Sequence, residues 1–224
     1  MIEVFSDSGA LADAACQTTA QALAAGLAAR GHATLICTGG RAPAPTYDRL
    51  AATELDWGRV TVSLSDDRFV PSSDPVSNER LVRDRLLVGP AAAASFQPLR
   101  YAVATEAASA EVAEPHLRAL APYDMLLLGM GEDGHVASLI PGSPVLEAGM
   151  DPGGRRFVIG VPAGVGAPPV ARISLTLPAL LAARATLILI SGTAKREIVE
   201  GGSGLPVHAV LKQAKAPVRV LWTP

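Results

Sequence analysis

Two cysteines in 224 residues, Cys16 and Cys37, are too few for a disulfide framework or a cysteine-based metal site. Cys16 reads as part of a helix and Cys37 as the end of a strand, so both fit small buried hydrophobes in a reducing compartment. Charge of one sign is not in excess: 19 basic and 21 acidic residues leave a net charge of −2. That argues against a nonspecific nucleic-acid binder, which is usually basic, but not against a small anion held by local positive charge. No basic segment followed by an apolar one opens the chain, and no apolar run reaches transmembrane length. The expectation is a soluble cytoplasmic protein without nucleic-acid or membrane partners. No internal repeat or shift in composition divides the chain, so 1–224 reads as one domain.

What is present is enough apolar material for a sizeable core, 49% of residues, in alternating strand and helix patterns. Strands are expected at Ile2–Phe5, Ala33–Cys37, Val60–Leu64, Met125–Leu128, Phe157–Val161, Arg172–Leu175, Thr186–Ser191 and Val218–Trp222. Helices are expected at Leu11–Arg30 with Gly31 as its stop, Pro43–Leu50 and Ala194–Glu200. Another carries Val82 and Leu86 behind an Asp74 cap and Pro75. Thr105–Leu120 is helical in propensity, with Pro115 expected to kink or split it. Ala91–Ser95 and Pro162–Pro169 read as loops, the second open to movement. Alternation of this kind predicts an α/β fold, a doubly wound and mostly parallel sheet flanked by helices.

Four strand ends carry chemistry, and ligands of such sheets gather beyond the carboxyl ends of the strands. The most informative is Gly129-Met130-Gly131-Glu132-Asp133-Gly134-His135, directly after Met125–Leu128. Its glycines permit sharp turns and close approach. His135 can exchange a proton near neutral pH, and Asp133 can orient its ring. The plainer alternative is structural, with Asp133 capping a turn begun by Val136–Leu139.

Thr38-Gly39-Gly40-Arg41-Ala42-Pro43 lies between a strand and a helix start. Consecutive backbone N–H groups there, with Arg41, suit an anion. Ser65-Asp66-Asp67-Arg68 places a bidentate phosphate donor beside two acids. In Ser191-Gly192-Thr193-Ala194-Lys195, a lysine stands in the first turn of a helix, where the helix dipole disfavours cations. A bound anion resolves that conflict. Taken singly, these are an ordinary turn, a surface charge cluster and a solvated lysine. Taken together, they imply a small phosphorylated polyol or sugar.

These residues resemble the 6-phosphogluconolactonases, within the wider glucosamine-6-phosphate isomerase/deaminase-like superfamily. The resemblance covers nearly the whole chain. It rests on Thr38–Pro43, on Ser65–Pro71 with Ser77-Asn78, and on Leu128–Gly142. It continues through Arg172–Leu180 and Gly192–Lys195. It implies metal-independent hydrolysis of 6-phospho-D-glucono-1,5-lactone to 6-phosphogluconate, without any cofactor, by a monomer or weak homodimer. His135 would be the general base, assisted by Asp133. Gly39, Gly40, Arg41, Arg68 and Lys195 would hold the phosphate, and Asp66, Asn78 and Gly131 would contact the rest of the substrate.

The chain departs from the family at Arg41 and Ala42, where hydroxyl residues are common. It also departs at Asp67, where glutamate is frequent, and at Val136 in place of threonine. The alternatives are an isomerase or deaminase on the same fold, with Asp66 moving a C2 proton, and a sugar-phosphate sensor without catalysis.

Overall fold

The computed structural model describes residues 2–202 and 204–224. Its centre is a seven-stranded sheet in which every paired neighbour is parallel. In chain order its strands are β1 (Ile2–Val4), β2 (Ala33–Cys37), β3 (Val60–Leu64), β5 (Ser95–Phe96), β6 (Met125–Leu128), β9 (Thr186–Ser191) and β10 (Val218–Thr223). Across the sheet they run β1-β10-β9-β6-β2-β3-β5. The middle strands are continuous apolar runs because both of their faces are covered. Leu126, Leu127 and Leu128 are wholly buried, each contributing on the order of 1.5–3 kcal/mol by leaving water.

A second, three-stranded antiparallel sheet was not foreseen. It joins β4 (Asp66–Arg68), β8 (Arg172–Leu175) and β7 (Val158–Val161) in the order β4-β8-β7. The strands expected at Phe157–Val161 and Arg172–Leu175 therefore form, but outside the main sheet. Their partner β4 is too short and too charged to read as a strand.

Helix α1 (Ser8–Arg30) begins three residues earlier than expected, where the Asp7 carboxylate accepts the Ala10 N–H at 2.9 Å. It ends as expected at Gly31, whose φ of 74° suits a residue without a β-carbon. Helix α2 (Ala44–Ala51) follows β2. Helix α3 (Asn78–Arg85) is capped by Ser77 and not by Asp74; Asp74 instead accepts the Val76 N–H in a tight turn. Helix α4 (Glu106–Leu120) runs unbroken through Pro115. Pro115 sits on the exposed face, where water can serve the carbonyl left without a donor.

The loop expected at Ala91–Ser95 is a helical turn, Gly89–Ala93, leading into β5. Three further helices lacked a clear pattern: α5 (Leu146–Met150), α6 (Leu177–Leu180) and α8 (Pro206–Gln213). The remaining helix, α7 (Thr193–Gly201), follows β9. Among the described residues no helix is long and apolar enough to cross a membrane.

Candidate active site

Strands β9, β6, β2 and β3 are consecutive neighbours in the parallel sheet. Their carboxyl ends therefore share one edge, and the four segments singled out in the sequence meet there. They surround a cavity of about 230 Å³. Gly39, Gly40, Arg41, Asp66, Arg68, Asn78, Gly131, His135 and Lys195 all line it. Asp133 does not, but stands behind His135.

The β6 loop is built around the histidine. Gly131 N–H donates to the His135 carbonyl at 3.0 Å, and Gly134 N–H donates to the Gly131 carbonyl at 3.1 Å. These two amides are thus consumed inside the loop and are not free donors for a substrate oxygen. Gly134 has φ of 76°, the left-handed region. A β-carbon on Gly131 would lie 2.2 Å from His135 Nδ1, so the imidazole takes the space a side chain would fill. Asp133 Oδ1 lies 2.6 Å from that Nδ1 and also accepts the His135 N–H at 3.2 Å. A carboxylate accepts only, so Nδ1 carries a proton and donates it to Asp133, and Nε2 is the ring nitrogen left without that partner. Val136–Leu139 is a tight reversal, with Ala137 at φ 50°, and starts no helix. The capping role imagined for Asp133 is therefore replaced by ring orientation.

The two adjacent acids face different ways. Asp67 points inward and gathers the start of α3. It accepts the N–H groups of Arg68, Asn78 and Glu79 at 2.7, 2.6 and 3.1 Å, and the Ser77 hydroxyl at 3.2 Å. Burial pushes its carboxyl up to about 6, against the pull of those hydrogen bonds. Asp66 faces the cavity and accepts the Ser138 hydroxyl at 2.5 Å. Asn78 donates to the Asp66 carbonyl at 2.8 Å. Its amide fills the space above Gly39, where a β-carbon would come within 1.9 Å of Asn78 Oδ1. The Tyr47 hydroxyl fixes the same loop from below, accepting the Thr38 N–H at 2.9 Å and donating to the Thr38 carbonyl at 2.6 Å.

Positive charge converges on the cavity. Arg68 Nη1 donates to the Val76 carbonyl at 2.5 Å, while its buried Nε has no partner. Lys195 reaches the cavity from the first turn of α7, and among the described residues no carboxylate lies within ion-pair distance of it. The turn before α7 is held by the Trp222 indole N–H, which donates to the Gly192 carbonyl at 2.9 Å.

Arg172 is a fourth cation, 3% exposed, which nothing in the sequence reading singled out. It donates to the Pro168 carbonyl at 2.9 Å, and its Nε is buried without a partner. Burial lowers its pKa, opposed by Asp66 and aided by Arg68. A signal was available: in Arg-Ile-Ser-Leu the polar residues alternate with apolar ones. Ile173 and Leu175 enter the core, while Arg172 and Ser174 turn toward the site. The Pro162–Pro169 segment is tethered to the site through the Arg172–Pro168 bond.

Among the described residues no three His, Cys, Asp or Glu side chains cluster as metal ligands. The arrangement sets an imidazole at the cavity wall together with four cationic side chains, Arg41, Arg68, Arg172 and Lys195, and the polar groups of Asp66 and Asn78.

A family model described as glucosamine-6-phosphate isomerases/6-phosphogluconolactonase matches residues 6–222. The chain is 45% identical to a 6-phosphogluconolactonase of Caulobacter vibrioides over 99% of its own length and 96% of that protein's. It is 39% identical to one of Rhizobium meliloti, over 100% and 98%. The crystal structure of a 6-phosphogluconolactonase from Shewanella baltica superposes with a TM-score of 0.94 at 32% identity, covering 100% of this chain and 97% of that one.

Proposed function

The chain belongs to the glucosamine-6-phosphate isomerase/6-phosphogluconolactonase family, and from that premise we propose that it hydrolyses 6-phospho-D-glucono-1,5-lactone to 6-phospho-D-gluconate, with His135 as general base and no metal. The observation that carries this reading is the 2.6 Å contact of Asp133 with His135 Nδ1, which leaves Nε2 free at the cavity wall.

A δ-lactone is already an activated ester, so water can attack without a covalent intermediate. His135 Nε2 takes a proton from water as its oxygen bonds to C1. The C1 carbonyl becomes an oxyanion, which backbone or side-chain donors of the cavity stabilise. Collapse of this intermediate breaks the bond from C1 to the ring oxygen. His135 then returns its proton to that leaving oxygen, and the new acid ionises to the carboxylate. Asp133 stabilises the imidazolium formed between the two transfers.

Arg68, Arg172 and Lys195 hold the phosphate, with the Gly39-Gly40-Arg41 loop around it, so binding energy at the remote end fixes C1 against the water. Asp66, Asn78 and Gly131 form the wall along which the sugar hydroxyls lie.

The test is lactone hydrolysis above the spontaneous rate. Glucose-6-phosphate dehydrogenase generates the lactone in place, and 6-phosphogluconate dehydrogenase reports the product. Fast turnover by the wild type, lost in His135→Ala, supports both reaction and base. Turnover that survives the substitution keeps the reaction and removes His135 from the role. Ammonia release from glucosamine 6-phosphate in place of lactone hydrolysis overturns the proposal.

A further inference from the structure

His208 is 4% exposed and lies outside the walls of the cavity. Its protonation state is set by two backbone groups. The Ile198 carbonyl, 2.7 Å from Nε2, can only accept. The Leu205 N–H, 3.3 Å from Nδ1, can only donate. One species satisfies both: the neutral imidazole with its proton on Nε2.

Each contact serves an orphaned helix end. Ile198 lies in the final turn of α7, whose last carbonyls have no donor within the helix. Leu205 stands immediately before α8, and its own side chain offers no acceptor there. One ring therefore caps the end of one helix and the start of the next.

Both helices reach the site. Lys195 lies one turn before Ile198 on α7. At α8, the Val207 N–H donates to the Gly134 carbonyl at 3.1 Å. Leu205 also packs over Gly134, where a β-carbon would meet Leu205 Cδ1 at 2.6 Å. Gly134 directly precedes His135.

We propose that His208 is a positioning residue for this site, a clamp that fixes Lys195 through α7 and the Gly131–His135 loop through α8. The proposal rests on the lactonase reading for its kinetic consequences, but not for its effect on anion binding. The two arms are separable by substitution. An asparagine amide oxygen takes the place of Nδ1, and a glutamine amide nitrogen that of Nε2. His208→Asn keeps the Leu205 contact and frees α7. His208→Gln keeps the Ile198 contact and frees α8.

The experiment measures kcat and KM for the phosphorylated lactone, and the Kd of inorganic phosphate by calorimetry, for wild type, both variants and His208→Ala. His208→Asn is expected to raise KM and the phosphate Kd several-fold while kcat stays within about twofold. His208→Gln is expected to lower kcat roughly tenfold, a displacement of well under 1 Å, with phosphate binding unchanged. His208→Ala shows both losses if it folds. Variants that lose only thermal stability, keeping wild-type KM and phosphate affinity in the folded fraction, overturn the clamp. So does the reverse assignment of the two arms. Absence of lactone hydrolysis by the wild type defeats the functional reading, while the phosphate affinities still decide the clamp.

Discussion

Arg68 and Arg172 stand directly opposite each other in the antiparallel pairing of β4 with β8. Like charges at facing positions are unfavourable, and here each side chain also has a buried Nε without a partner. Asp66 beside them supplies one negative charge, itself engaged by Ser138. A phosphate placed between the two guanidiniums relieves the repulsion and gives both forks an acceptor.

Inorganic phosphate is therefore expected to raise the melting temperature of the wild type, approaching about 2.7 kcal/mol of stabilisation at a hundredfold excess over Kd. Arg172→Met cuts this gain to about 0.4–1.4 kcal/mol at the same phosphate concentration and leaves the phosphate-free protein no less stable than before. Its kcat/KM falls by about tenfold to a hundredfold for the phosphorylated lactone, the cost of one charged hydrogen-bonding partner. The unphosphorylated lactone is turned over as by the wild type. Thermal shift with and without phosphate, and paired kinetics on the two lactones, check this. Equal losses on both substrates remove Arg172 from the phosphate cradle.

His135→Ala should lower kcat by roughly 10²–10⁴-fold, the span of a lost general base. Asp133→Asn keeps an acceptor for the ring but drops the charge that favours imidazolium. It should cost less, about 10–100-fold in kcat, the worth of one charged hydrogen-bonding partner. The coupled lactone assay on the two variants reads both losses. Wild-type kcat in Asp133→Asn detaches Asp133 from the proton transfer.

Gly131→Ala puts a β-carbon where His135 Nδ1 lies. The backbone there is not in the left-handed region, so the strain falls on the imidazole. The variant is expected to fold with little change in melting temperature and to lose roughly a hundredfold in kcat. Circular dichroism melting beside the coupled assay reads both, and retention of full activity shows that the ring need not lie over Gly131.

Asp67 gives a pH dependence of stability. Its folded-state pKa of about 6 is above its ordinary 3.8. Between those values the native protein holds a proton that the unfolded chain has released. Stability from this group is therefore greatest below pH 4, falls as pH rises to 6, and is flat above. The fall is on the order of 3 kcal/mol. Urea unfolding of wild type and Asp67→Asn across pH 4–7 isolates it as the change in their difference. A difference independent of pH overturns the assignment.

The four strand ends were legible because each combines a local signal with a local cause. An apolar run stops, glycines allow the turn, and a charged residue stands where its surroundings do not favour it. Lys195 in a first helical turn is the clearest case. Arg172 was not legible, because its meaning depends on facing Arg68 across a sheet assembled from distant segments. The start of α3 was misplaced for the same reason. Asp74-Pro75 has the local form of a helix start, but Asp67, far upstream, collects the N–H groups that begin the helix at Asn78. The family resemblance covered both regions without revealing either arrangement.

Among the described residues strand β1 pairs only with β10, and their ion pair, Glu3 with Arg219, joins residues 216 positions apart. The pairing of β1 thus waits on a segment far along the chain. Until Val218–Thr223 is made, β1 and the outer side of β9 both present open hydrogen-bonding edges. The search for so distant a partner makes this closure of the sheet slow. Removing Val218–Thr223 would leave both edges open, and would also take away the Trp222 indole that holds the turn before Lys195.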